Sequence, residues 1–110
     1  MNRNLTVGID LGGTQVRAAL VDNGNILARS SMLTNVNDGP EGVLRQFWTL
    51  IDQARSRDPD AALSSVGICV PGWHDSTTGE IIGIPRLSGW EGFQLRKVVQ
   101  KKFGLPVHLD

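Results

Sequence analysis

The sequence predicts an α/β fold with a mixed five-stranded sheet in the order βββαβαβ and helices packed on it. Two patterns carry this prediction. Apolar residues alternate with period 2 over residues 5–11 and 16–20, which is typical of strands with one face in a core. Apolar residues recur at helical spacing over residues 43–54, after three strands rather than between the first two. The chain therefore opens as a meander, and later strands join the sheet through helical crossovers.

The opening meander needs two tight turns. The first spans residues 10–14, and the second spans residues 22–25. In the second turn Asn23-Gly24 lies between apolar runs, which is a strong hairpin signal because both positions tolerate positive φ. The third strand then covers about residues 26–33.

A capping-box pattern marks the start of the first helix. Asp38 is expected to accept hydrogen bonds from the first-turn amides, and Glu41, three residues on, to reach back to the cap. The helix is expected to end at Asp58-Pro59, because the residue before a proline is pushed out of the α region. Its apolar stripe must pack against the sheet and consists of Val43, Leu44, Phe47, Leu50, Ile51 and Ala54.

The second half of the chain completes the sheet. Residues 66–70 form a short continuous apolar run, which is consistent with a strand covered on both faces, so Cys69 is expected to be a buried thiol. A small hairpin is expected over residues 75–84. A second amphipathic helix follows, with Gly104 as its left-handed stop, and residues 106–109 open the last strand.

The composition is that of a globular protein without a charge preference. Hydrophobic residues make up 40% and charged residues 20%, and Lys plus Arg equals Asp plus Glu at 11 each. This balance favours a neutral small-molecule partner over nucleic acid or a membrane surface. Cys69 is the only cysteine, which excludes an internal disulfide and a cysteine-rich zinc site. Without a leader-like or bilayer-length apolar stretch, the protein is expected in the cytoplasm.

The turn at residues 10–14 carries the chemistry. A Rossmann fingerprint or a P-loop would open directly into a helix, but here a strand follows, so both are rejected. Gly12 and Gly13 let backbone amides approach a phosphate, Thr14 can donate a hydroxyl hydrogen bond, and Asp10 can hold Mg²⁺. A Gly-Gly turn between strands is also common as a plain hairpin, and on spacing alone both interpretations stay open.

Five segments of the chain resemble the N-terminal lobe of the ROK family, which comprises repressors, open reading frames and kinases. The resemblance covers essentially the whole chain and implies an actin-like ATPase (ribonuclease H-like) fold. The segments are 7–14 (VGIDLGGT), 67–72 (GICVPG), 78–79 (TG), 89–92 (GWEG) and 103–107 (FGLPV).

The resemblance implies a glucokinase-like enzyme that transfers a phosphoryl group from ATP to a hexose hydroxyl. Asp10 would then lie near Mg²⁺, and the residues that line the site of the transferring phosphate would be Gly12, Gly13 and Thr14. Gly72, Trp73 and Arg86 would line the sugar pocket. A full-length protein of this kind is expected to be a homodimer.

Three residues depart from the family pattern. Gln15 stands where Lys is common, and Arg86 stands where family kinases often have an Asn that faces the sugar. Trp73 is bulky for its position, so it would either stack on a pyranose face or narrow the site. The sugar preference is therefore open.

The resemblance also predicts that residues 1–110 are an N-terminal lobe truncated before the catalytic Asp and the second lobe. In ROK kinases the strand that begins near Pro106 leads into an acidic residue, then Asn, then the Asp that takes the proton from the sugar hydroxyl. Asp110 matches only the first of these. No catalytic residue is therefore expected within the chain, which should be inactive on its own.

Two alternatives remain beside the kinase. A sugar-binding transcriptional regulator of the same family is disfavoured, because such proteins carry a helix-turn-helix domain before the turn, whereas nine residues precede Asp10 here and the net charge is zero. A non-catalytic sugar sensor is harder to separate from a kinase. An Asn-Asp pair after Asp110 would discriminate between them.

Overall fold

A computed structural model describes residues 5–56, 58, 60 and 62–110. It confirms the predicted order of the main strands and helices. The predicted small hairpin is present as two short strands, the first of which begins at Trp73. The elements are β1 Leu5–Leu11, β2 Gln15–Asp22, β3 Asn25–Leu33, α1 Gly39–Arg55, β4 Leu63–Cys69, β5 Trp73–His74, β6 Ile81–Gly83, α2 Leu95–Phe103 and β7 Val107–Leu109. Helix α1 ends at Arg55; Pro59, which was expected to end it, lies outside the described residues.

The main sheet has five strands in the spatial order β3-β2-β1-β4-β7. The β1–β2 and β2–β3 pairs are antiparallel, whereas β1–β4 and β4–β7 are parallel. The predicted meander followed by helical crossovers is therefore confirmed. The second turn is also as predicted, because Asn23 and Gly24 have φ of 55° and 85°. Strands β5 and β6 form a separate two-stranded hairpin.

Both helices pack on one face of the main sheet. The odd-numbered residues of β1 are buried on that face, against the stripe of α1 that includes the fully buried Phe47. The edge-to-face contact between Trp48 and Phe103, with ring centroids 5.6 Å apart, joins α1 to α2. Alternation in the strands and helical spacing in α1 thus meet in a single core.

Helix α1 begins where it was predicted to, but the predicted capping box does not form. Asp38 occupies the N-cap position without a side-chain cap hydrogen bond. Its Oδ2 instead accepts a hydrogen bond of 2.9 Å from Nδ2 of Asn35. Pro40 in the first turn removes one amide that a cap would have to satisfy, so the helix start depends less on Asp38.

The other face of the sheet is open among the described residues, which corrects the expectation for β4. Val66 and Ile68 are buried on the helical face, but Cys69 points the other way and is exposed. The prediction of a buried thiol was wrong, because a continuous apolar run does not reveal that only one face is covered. A groove of about 750 Å³ crosses this open face, lined in part by Gly8, Ala19 and Cys69.

Within residues 5–56, 58, 60 and 62–110, neither helix has the length and apolar character needed to cross a bilayer.

Candidate functional site

The turn between β1 and β2 is closed by one backbone hydrogen bond. The amide of Gly12 donates to the carbonyl oxygen of Gln15 at 2.9 Å. A Cβ at Gly12 would lie 2.6 Å from that same oxygen, so only glycine fits here. Leu11 and Val16 are fully buried on either side of the turn and anchor it to the core. The turn is therefore held in a fixed shape.

Thr34, directly after β3, clamps this turn from the neighbouring strand. Its hydroxyl donates to the carbonyl oxygen of Gly12 at 2.7 Å, and its amide donates to the carbonyl oxygen of Thr14 at 2.9 Å. Thr34 is 9% exposed and is a buried polar side chain beside the site. Thr34 was not among the residues predicted from the sequence. The available signal was that a hydroxyl residue directly follows Leu33, and the hairpin register places Leu33 opposite Gln15.

The clamped turn presents free donors at its surface. The amides of Gly13 and Thr14 make no hydrogen bond within the described part of the chain, and Thr14 is exposed. Successive free amides with an adjacent hydroxyl form a concave site suited to an anion such as phosphate. This geometry is compatible with the predicted phosphate role of Gly13 and Thr14, whereas the amide of Gly12 is bonded to Gln15 and is not available to a phosphate.

Asp10 lies at the carboxyl end of β1, on the open face of the sheet. Its cross-strand neighbour Arg17 does not pair with it but donates to Oε1 of Gln15 at 3.0 and 3.3 Å. The carboxylate of Asp10 is exposed and has no hydrogen bond or ion pair among the described residues. It is thus available to a ligand from outside the chain.

This donor set fits Mg²⁺ bound together with phosphate. The residues described contain no group of three or more His, Cys, Asp or Glu side chains that could hold a metal ion. Mg²⁺ typically takes one or two carboxylates and completes its shell with waters and phosphate oxygens. The free carboxylate of Asp10, close in sequence to the free amides of Gly13 and Thr14, matches that pattern.

Gly72, which follows β4, allows two loops to approach each other. Its φ is 141°, and a Cβ there would overlap the carbonyl oxygen of Gly83 and lie 3.1 Å from Cδ of Pro85. The side chain of the next residue, Trp73, is 67% exposed on the β5–β6 hairpin, where the residue pairs with Gly83. Gly72 therefore has a packing role, and Trp73 offers an aromatic surface to solvent.

Arg86 lies in a tight turn that approaches the turn between β1 and β2. The amide of Leu87 donates to the carbonyl oxygen of Ile84 at 3.2 Å, and both residues are buried. Pro85 and Arg86 are the central residues, and Arg86 has φ of 70°, as the third residue of a type II turn requires. Cδ of Arg86 lies 3.9 Å from where a Cβ of Gly13 would be.

Three residues lie at the edge of the main sheet where its parallel strands end. Asp10 is the last residue but one of β1, Gly72 follows β4, and Asp110 extends β7 by exchanging backbone hydrogen bonds of 2.9 Å with Ile68 and Val70. Ligands of open α/β sheets bind at the carboxyl ends of the parallel strands. Pro85 lies close to Gly72 and Arg86 lies close to Gly13, so this turn stands between the expected sugar and phosphate sides.

The strand order, helix placement and site edge define an actin-like ATPase lobe of the kind found at the N-terminus of sugar kinases. Residues 6–110 match the model of the ROK family. The chain belongs to the ROK family.

Curated relatives include both enzymes and regulators. The chain is 31% identical over 107 residues to a glucokinase of Streptomyces coelicolor, covering 96% of this chain and 32% of that protein. It is 30% identical over 107 residues to a xylose repressor of Caldicellulosiruptor bescii, covering 94% of this chain and 27% of that protein. The chain therefore spans about a third or less of the length of these relatives.

A solved structure gives the same fold. The ROK family glucokinase of Streptomyces griseus, crystallised in complex with glucose and AMPPNP, superimposes with a TM-score of 0.84 at 28% identity. The match covers 97% of this chain and 33% of that protein. The predicted actin-like fold is confirmed, and family membership fits either a kinase or a sugar-responsive regulator.

Proposed function

We propose that this chain is the phosphate-binding N-terminal lobe of an ATP-dependent sugar kinase that acts on a hexose hydroxyl. The observation that carries the proposal is the clamped turn at Gly12, Gly13 and Thr14, with free amides beside the unpaired carboxylate of Asp10. The glucokinase relatives support ATP as the phosphoryl donor.

Each residue has a distinct task in this mechanism. The amides of Gly13 and Thr14 bind oxygens of the transferring phosphate, and Thr34 keeps these donors aimed at it. Asp10 would hold Mg²⁺ directly or through water, and the metal would supply positive charge next to the phosphates. Trp73 and Gly72 lie on the sugar side. Phosphoryl transfer depends mainly on such positioning and electrostatic stabilisation.

The lobe supplies no general base of its own in this proposal. Asp110 extends β7 at the same edge as Asp10, and the groove touches both. By the family resemblance, the proton acceptor belongs two positions after Asp110. The 110 residues alone are therefore proposed to be inactive. The complete gene product is proposed to be a cytoplasmic homodimer.

A sugar-responsive regulator or non-catalytic sensor is the second candidate. The xylose repressor match favours it, as does Arg86 at a position where family kinases often carry Asn. Such a protein would use the same sugar pocket but would not consume ATP.

The test is ATP consumption by the complete gene product that contains this chain, against a panel of hexoses and N-acetylhexosamines. We expect sugar-dependent turnover. It should fall by about 100-fold in Asp10→Asn, because a neutral amide binds Mg²⁺ less strongly than a carboxylate does. Asp22→Asn is the matched control, since Asp22 lies at the opposite end of the β1–β2 pair, facing Leu5.

Turnover with one sugar that is lost in Asp10→Asn and kept in Asp22→Asn would support the kinase and name its substrate. A folded product that binds a sugar but turns over none would favour the sensor.

A further inference from the structure

Arg86 holds a backbone conformation that its side chain disfavours. Its φ of 70° lies in the left-handed region, where Gly and Asn are preferred at the third position of a type II turn. Asn23 is the other non-glycine residue with positive φ among those described, and it sits in a hairpin turn that tolerates it. An arginine in this conformation costs stability, and such outliers concentrate at functional sites.

The surrounding turn is rigid enough to impose this conformation. Ile84 and Leu87 flank it and are 5% and 4% exposed, and their backbone hydrogen bond closes it. Pro85, the residue before Arg86, has its φ fixed by its ring, and its Cδ lies near Gly72. The position of Arg86 is therefore set by the core.

The side chain of Arg86 extends toward the turn between β1 and β2. Its Cδ lies in van der Waals range of the space above Gly13, and the guanidinium extends beyond Cδ. Arg86 is exposed and has no hydrogen bond or ion pair within the described ranges. By contrast, Arg17 is occupied by Gln15, and Arg96 donates to the carbonyl oxygens of Ser76 and Thr77. Arg86 is thus a free cation beside free amides.

We propose that Arg86 is an anion-binding residue of this turn, whose guanidinium contacts the phosphoryl group held by the amides of Gly13 and Thr14. The planar fork of a guanidinium matches two phosphate oxygens and forms strong charge-assisted hydrogen bonds. Arg86 therefore acts on the phosphate as well as bordering the sugar. The inference rests on the proposed phosphate role of the turn but not on turnover, since phosphate binding needs no sugar.

The experiment measures tripolyphosphate binding to the complete gene product by isothermal titration calorimetry, without sugar. We expect Arg86→Asn to weaken binding by about 10- to 100-fold, the usual value of hydrogen bonds to a charged group, and Arg86→Lys to recover part of it. Arg55→Asn is the control. It removes the same charge at the far end of the 17-residue α1, about 24 Å along the helix from its start.

A melting curve separates binding from folding. Because Asn tolerates left-handed φ, Arg86→Asn is expected to melt at the same or a higher temperature than the wild type while binding less tripolyphosphate. A lower melting temperature with unchanged binding would show that Arg86 is structural and would overturn the inference.

The binding outcomes also separate the two proposals. Equal affinity of wild type and Arg86→Asn would leave the turn as a phosphate site and overturn the role of Arg86. No tripolyphosphate binding by the wild type would overturn both. Binding that depends on Arg86 in a protein without sugar turnover would support Arg86 as an anion ligand and count against the kinase.

Discussion

At the scale of single residues, the two glycines of the turn between β1 and β2 have different physical reasons to be glycine. Gly12 has no room for a Cβ, because Gln15 oxygen would lie 2.6 Å from it. Gly13 has room, since a Cβ there would meet only Cδ of Arg86 at 3.9 Å. Gly12 is therefore required by the turn itself, whereas Gly13 keeps the space in front of the free amides open.

This difference predicts a loss of stability in one of two matched variants and almost no change in the other. Gly12→Ala should lower the free energy of unfolding by about 1–3 kcal/mol, because the overlap with the Gln15 carbonyl forces the turn to shift. Gly13→Ala should stay within about 0.5 kcal/mol of the wild type, since the new methyl makes ordinary contact. Urea unfolding of both variants checks this. Equal losses in the two would contradict the assigned roles.

At the scale of elements, the segment that follows β4 approaches the end of β6 closely at Gly72. Gly72 leaves space for the Gly83 carbonyl, and this brings Pro85 and the turn that carries Arg86 toward the site. Neither contact could be predicted from spacing, because the two glycines belong to different elements that meet only after the sheet has formed.

The prediction at this scale is a matched pair of glycine variants. Gly72→Ala should lower the free energy of unfolding by at least about 2 kcal/mol, because it combines a steric overlap with a φ of 141°. Gly83→Ala is the control, since nothing lies within 4 Å of its would-be Cβ. Thermal or urea unfolding measures both. A neutral Gly72→Ala would show that the hairpin can move away from β4 without cost.

At the scale of the whole molecule, periodicity in the sequence was enough to predict the order of the main strands and helices, whereas the actin-like fold was implied by the resemblance to the ROK family. Alternation over β1 and β2, the stripe of α1 and the Asn23-Gly24 turn each reflect local geometry, and all were confirmed. Two expectations about single side chains were wrong. Asp38 was expected to cap α1 but bonds Asn35, and Cys69 was expected to be buried but lies on an uncovered face.

The candidate site divides in the same way. Asp10 and the glycines could be found because a strand, an acid and a tight turn are adjacent in sequence. Thr34 was missed, because its hydrogen bonds to Gly12 and Thr14 cross from the end of β3 to the first turn, and the hairpin register was the one sequence signal for them. The proximity of Arg86 to Gly13 joins positions far apart in the chain and needed the folded structure.

The most direct test of the central claim is a crystal structure of the complete gene product with a hexose, Mg²⁺ and a non-hydrolysable ATP analogue. We expect the terminal phosphate within about 3.5 Å of the amide nitrogens of Gly13 and Thr14, with the metal on the side of Asp10. A terminal phosphate bound elsewhere, with these amides left to solvent, would contradict it.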